Sequence, residues 1–235
     1  MCGRFSIVST LGELWARYSL RNEDMEYQAR FNIAPTNRVL TVVDEGNHGS
    51  DEQPHGEMLR WGLVPFTAKD MKGGPPLINA RSETAAGKYP FRVPMQRRRC
   101  LIVADGFYEW RREGKARYPF RFVVGDGAPF AFAGIWDEWK SASSDEVLRT
   151  CSILTTQANT LVGQIHDRMP VILRPEDEAR WIDSSITDPA EVSSLLVPYP
   201  ALEMDAFAVS QVVNAVRNDI PECVMPTVGG ERLTA

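Results

Sequence analysis

Apolar residues along the chain fall mostly into short runs separated by turn formers. Arg4–Val8, Val39–Val43, Met58–Leu63, Cys100–Ala104, Phe107–Arg111, Phe120–Val124, Phe130–Ile135 and Cys151–Thr155 each combine β-branched or aromatic residues with flanking turns, the pattern of a strand. Helical patterning is scarcer. Leu11–Tyr18 follows Thr10, a suitable N-cap, and Glu13 completes a capping box. Asn159–Ile165 is a short candidate, and Glu176–Ile182 and Ala190–Leu196 each begin just after a proline. The polar, turn-rich stretches Asp44–Glu57 and Lys69–Pro76 read as exposed loops. Strands dominate and do not alternate regularly with helices, which argues against a doubly wound parallel sheet. The pattern predicts one α+β domain over residues 1–228: a curved, largely antiparallel, barrel-like sheet with flanking helices. Residues 229–235 read as a flexible tail.

Composition adds bounds. With 235 residues, 43% of them hydrophobic, the chain can bury one ordinary core. No apolar run approaches the roughly 20 residues of a membrane helix, and MCGRFSIVST lacks the plan of a secretory signal. No membrane partner is expected, and a cytoplasmic location is. The four cysteines, at 2, 100, 151 and 223, are far apart with no CxxC, which speaks against a disulfide framework or a metal site. Net charge is −5, yet Arg81–Arg121 holds 11 basic against 4 acidic residues, and Arg174–Ala235 holds 4 against 11. So polarised a chain can offer phosphates a basic surface while staying acidic overall.

A few residues carry candidate chemistry. Removal of Met1 would leave Cys2 at the amino terminus, with an amine of pKa about 8 and a thiol of about 8.5 on one residue. Such a pair can close a five-membered thiazolidine on one aldehyde carbon, the amine attacking first and sulfur second. Asn79, in PPLINARSETA, can donate to an oxyanion or hold an amine, and Arg81 can fork onto a phosphate. Glu109, in ADGFYEW, shares a strand face with Phe107, opposite Tyr108 and Trp110, so partial desolvation should raise its pKa toward acid/base use. His166, in IHDRMP, has Asp167 and Arg168 beside it to orient the ring. The segments around Asn32 and Pro35 (RFNIAPT) and from Trp61 to Phe66 (WGLVPF) set aromatics beside prolines, a combination that stacks on unpaired bases or packs a core.

Taken in order, MCGRF, RFNIAPT, WGLVPF, INARSETA, ADGFYEW and IHDRMPVIL resemble the SOS-response-associated peptidase (SRAP) family, from Cys2 to about Leu173, with a weaker echo at Val209–Asn218. The resemblance implies a compact domain with a basic cleft for single-stranded DNA. It also implies covalent crosslinking of Cys2 to abasic sites, shielding the lesion during the DNA damage response. Asn79 would then hold the terminal amine or a sugar oxygen, Glu109 would move protons, and His166 would act on the opened sugar. Arg4 and Arg81 would bind phosphates with Thr84 beside them, and Asn32 and Pro35 would line the channel. Phe66 stands where some relatives carry paired tryptophans, leaving base stacking to Phe66 alone. The partner would be abasic single-stranded DNA, met by a monomer without cofactor and close to the nucleoid. Two alternatives remain open: an N-terminal-nucleophile cysteine peptidase that also removes Met1, and a non-covalent single-strand binding module.

Overall fold

A computed structural model describes residues 2–18, 25–45, 54–70, 75–141 and 145–235. In chain order its elements are β1 (Phe5–Ile7), α1 (Leu11–Tyr18), β2 (Arg30–Ile33), β3 (Arg38–Val43), β4 (His55–Trp61), β5 (Asn79–Arg81), α2 (Ser82–Ala85), α3 (Arg92–Arg97), β6 (Arg99–Ala104), β7 (Gly106–Glu113), β8 (Ala116–Val124), β9 (Phe130–Lys140), β10 (Val147–Gln157), β11 (Arg168–Pro170), α4 (Pro175–Ile182), β12 (Met204–Ala208) and β13 (Arg232–Leu233). Short 3-10 turns fill much of the chain between β10 and β13.

Two sheets share one core. The first runs β13-β12-β8-β7-β1-β2, all antiparallel. The second runs β11-β10-β4-β3-β6-β9, and β9 pairs again with β10. Strands β10, β4, β3, β6 and β9 therefore close a ring, with β10–β4 its one parallel step. Closure leaves those strands no free edge, and it buries both faces of β6, whose six residues RCLIVA are all inaccessible. The α+β class and the largely antiparallel, barrel-like sheet expected from the sequence are both present.

Local chemistry fixes the joints. Thr10 and Glu13 form the capping box of α1, with the Thr10 amide donating to Glu13 Oε2 at 2.7 Å. Arg99 reaches past the end of α4 to the carbonyls of Asp183 and Ile186, at 2.7 and 2.8 Å, satisfying acceptors that a helix end leaves open. The buried Asp105 carboxylate accepts from Ser6 Oγ and Arg121 Nη2 at 2.8 and 2.9 Å and from the Val8 amide, clamping the far end of β1.

Several expectations change. Asn159–Ile165 and Ala190–Leu196 hold 3-10 turns in place of α-helices. The carboxy-terminal residues are tied down: β13 pairs with β12, and Gln164 Nε2 donates to the Thr234 carbonyl at 2.8 Å. Leu233 is buried there, giving the tail an apolar anchor that a two-residue strand pattern hardly announces. Most of the expected loops Asp44–Glu57 and Lys69–Pro76 lie outside the described residues, although His55–Glu57 already belong to β4.

Candidate active site around Cys2

The amino-terminal segment enters as the lead-in to β1. Phe5 pairs with Phe107 and Ser6 with Gly106, and the Tyr108 amide donates to the Arg4 carbonyl at 2.9 Å. Continuing this register by two residues sets Glu109 across from Gly3, next to Cys2. Strand alternation then decides which way the carboxylate faces. Phe107 belongs to the main core that also contains Cys2, whereas Tyr108 and Trp110 join a smaller cluster on the other side of the sheet. Glu109 shares the face of Phe107, as its position in FYEW predicts.

Cys2 and Glu109 are 0% and 5% exposed. Burial pushes the Cys2 thiol far above its ordinary range, and the negative charge of Glu109 pushes the same way. Burial likewise raises the Glu109 carboxyl, opposed by the positive charges of the chain's amino terminus and of protonated His166. These mutual influences mark Cys2, Glu109 and His166 as one electrostatic unit.

Asn79, the first residue of β5, donates from Nδ2 to the Cys2 carbonyl at 2.8 Å. It is delivered there by β10, whose Ile153 is its register partner. Asn79 Oδ1 is buried without a partner among the described residues. A buried acceptor left open is costly, and this one is available to a donor arriving with substrate or to an amine on Cys2.

His166 occupies the turn before β11. Its Nδ1 accepts the Arg168 amide at 2.9 Å and lies 2.9 Å from Asp167 Oδ1. A ring nitrogen that accepts from a backbone amide carries no proton, so the neutral imidazole holds its hydrogen on Nε2. Arg168 is held in turn by both Glu83 carboxylate oxygens, at 2.6 and 2.9 Å, and by the Thr155 carbonyl at 2.6 Å. Because Glu83 belongs to α2, which follows β5 directly, this clamp ties the Asn79 strand to the His166 turn. The sequence placed Arg168 beside His166 but offered nothing that singled out Glu83.

The residues expected on DNA divide. Arg81 and Thr84 are exposed on β5 and α2, and Arg81 shares a face of β5 with Asn79. Phe66 is 52% exposed, on a turn pinned by its amide to Asp137 Oδ2 at 3.0 Å. Pro35 is half-buried in the turn between β2 and β3. Arg4 is half-buried too: its Nη1 donates to Asn32 Oδ1 and the Val213 carbonyl, at 2.7 and 2.9 Å, and its guanidinium lies 5.6 Å from the centre of the Trp110 ring. Asn32 and Trp61 do not line a channel. Asn32 is fully buried and donates to the carbonyls of Val213, Ala215 and Asn218, stitching the carboxy-terminal segment onto β2. Trp61 is also fully buried, edge-on to Phe5 at 5.1 Å, with Nε1 on the Ile78 carbonyl at 2.9 Å. Each satisfies its polar atoms inside the protein, which suits a core position better than a wet groove. Glu45, His55 and Glu57 bring potential metal-ligand atoms within 4.8 Å of one another, but Arg149 already neutralises both carboxylates.

With this geometry in hand, comparison with known proteins is decisive. Residues 1–216 match the family described as SOS response associated peptidase (SRAP). The chain belongs to the SRAP family. It is 40% identical over 227 residues to abasic site processing protein YoqW of Bacillus subtilis (strain 168), covering 95% of this chain and 99% of that one. It is 33% identical over 236 residues to abasic site processing protein YedK of Escherichia coli (strain K12), covering 96% and 100%. Among solved structures, a crystal structure from Bacteroides thetaiotaomicron superimposes with a TM-score of 0.82 at 28% identity, covering 97% of this chain and all of that one. The SRAP match therefore spans every strand but β13 and every residue of the Cys2 cluster.

Proposed function

We propose that this SRAP chain processes abasic sites in single-stranded DNA by bonding to them covalently through Cys2. The reading is carried by one observation: Cys2 sits between an amide that holds its backbone and a buried carboxyl of raised pKa. The names of the relatives supply the substrate class.

The chemistry needs the free amine left when Met1 is removed. That amine adds to the aldehyde carbon of the ring-opened sugar, forming a carbinolamine. Glu109, whose carboxyl is raised by burial, gives a proton to the departing hydroxyl, so that water leaves and an iminium remains. The resulting Glu109 carboxylate takes the Cys2 thiol proton, and sulfur bonds to the same carbon to close a neutral thiazolidine. Glu109 ends protonated, and one water is the by-product. As the sugar ring opens, His166 holds the ring oxygen with a hydrogen bond from Nε2–H, and the proton that oxygen finally carries is the one the C1 hydroxyl gives up in becoming the aldehyde. The order, amine before sulfur, follows from a thiol whose burial disfavours the thiolate. Ring closure consumes the iminium that would otherwise drive strand breakage by β-elimination, so the link protects the strand.

The test mixes purified chain with a single-stranded oligonucleotide bearing one abasic site and resolves the product on a denaturing gel, while intact mass reports the loss of Met1. The expected result is a heat-stable band that needs the abasic site and disappears in Cys2→Ala. Absence of the band from correctly processed protein overturns the reading. Peptide cleavage by the same protein would then favour the N-terminal-nucleophile peptidase.

A further inference from the structure

Arg38 in β3 is the direct register partner of Arg60 in β4. Opposed residues of an antiparallel pair project from the same face with Cβ atoms about 5 Å apart, and like charges so placed destabilise the pair. Neither guanidinium meets a carboxylate among the described residues, and Arg60 has only the Gly62 carbonyl, at 3.5 Å. Other arginines of the same groove are neutralised, Arg30 by Asp219 and Arg149 by Glu45 and Glu57. Glu26 is exposed on that groove but forms no ion pair with either member of the Arg38–Arg60 pair. The groove measures about 780 Å³. Arg60 also lines an adjoining pocket of about 620 Å³, walled in part by Pro65, Pro76 and Tyr89, with Tyr89 66% exposed.

We propose that Arg38 and Arg60 bind a backbone phosphate of the single strand, and that the proline–tyrosine pocket takes an adjoining base. This rests on the DNA reading given under Proposed function. A phosphate shared between two guanidinium forks turns their mutual repulsion into attraction. Proline rings and a phenol ring offer the flat apolar surfaces on which any base can stack. The position suits a strand held at Cys2. Arg60 lies opposite Thr150, and Asn79 opposite Ile153, on the same strand β10. Three strand residues, about 10 Å, separate Arg60 from Asn79 along β10, and the odd spacing directs their side chains to opposite faces, so a strand reaching both crosses the sheet edge at the Trp61–Pro65 turn.

The test measures binding of an unmodified single-stranded oligonucleotide to the full chain by fluorescence anisotropy across a salt series. R38E replaces the repulsion with an opposite-charge pair. It should melt at or above the wild-type temperature yet bind more weakly, and the slope of log Kd against log salt should fall by about 0.7 for each phosphate that is no longer neutralised. A merely structural pair would move stability and affinity together. Tyr89→Ala should weaken binding about fivefold or more with the salt slope unchanged. Replacing single linkages by uncharged methylphosphonate should reveal one position at which wild type and R38Q/R60Q bind alike. The inference is overturned if R38E keeps wild-type affinity and slope, if R38E melts lower, or if no linkage equalises the two proteins. Crosslinking to an abasic oligonucleotide should reach half its maximal rate only at a higher DNA concentration in each of these variants. If wild type binds as described but never crosslinks, the proposed function fails and this site stands.

Discussion

Asn79→Ala removes a single amide from the site, and the structure sets the size of the effect. The change deletes the 2.8 Å bond that holds the Cys2 carbonyl and also the open acceptor Oδ1. Leaving a buried carbonyl without its donor costs about 1–3 kcal/mol. The bond positions the nucleophile, so the cost falls on the reactive geometry, and about 1.4 kcal/mol corresponds to a tenfold rate change. Asn79→Ala should therefore slow crosslinking by about five- to 150-fold at saturating DNA, with noncovalent affinity little altered. Asn79→Asp is the sharper probe. It keeps the shape and one oxygen, loses the donor, and brings a second negative charge to a thiol that burial, and after it Glu109, already holds above its ordinary range. It should be slower than alanine, and more so as pH rises. The assay is single-turnover crosslinking on denaturing gels from pH 5 to 9. Asparagine-like rates in Asn79→Asp would refute the argument, because the bond to the Cys2 carbonyl would then have no part in the reaction.

Three further outcomes follow from the same structure. Glu109→Gln retains volume but cannot carry a proton, so crosslinking should fall by about 100- to 10,000-fold and lose the pH dependence set by a carboxyl of raised pKa, measured as a rate–pH profile. Glu178 is buried against Arg17 at 2.8 Å, and burial lifts its carboxyl from 4.5 to about 7. The folded state then binds this proton more tightly than the unfolded chain, so the contribution is full below pH 4.5 and is lost as pH rises through about 7. Chemical denaturation should accordingly show Glu178→Gln gaining about 3 kcal/mol relative to wild type between pH 4.5 and 8, and a constant difference would contradict the assignment. Gly62 has φ +122° and a Cβ there would meet Pro76 Cβ at 2.7 Å, so Gly62→Ala should lower stability by about 1–3 kcal/mol in a thermal melt.

Much of the molecule is readable from the chain because its signals are local. The capping box of α1, the alternation that turns Glu109 inward and the apolar runs of β6, β9 and β10 each depend on a few neighbouring residues. What escapes the sequence is decided by distant partners. Asn32 and Trp61 carry polar groups that would suit a nucleic-acid surface, but Val213, Ala215, Asn218 and Ile78 supply the carbonyls that let them be buried. Glu83 acquires meaning only through Arg168, which lies far along the chain. The carboxy-terminal strand is set by Leu233, and Asp219 secures the region from across the fold by accepting the Phe31 and Asn32 amides at 2.6 and 2.9 Å.

The arrangement around His166 bears on whether the proposed link can be undone. In the neutral ring Nδ1 takes the Arg168 amide, which leaves Nε2–H as the donor. With Nδ1 occupied, only Nε2–H is left to face substrate, so the tether and the donor act as one device. Asp167 Oδ1 lies 2.9 Å from the same Nδ1 and flanks the tether from the exposed side. In the proposed reaction the Nε2–H holds the sugar ring oxygen while the ring opens, and it meets the same oxygen when the link is reversed. Asp167→Asn leaves the Arg168 amide on the ring and should leave crosslink formation intact. His166→Ala removes tether and donor together and should slow formation and release alike, measured by transfer of a preformed link to a competing abasic strand. Release that slows in Asp167→Asn as much as in His166→Ala would mean that the carboxylate, and not the tethered ring, governs reversal.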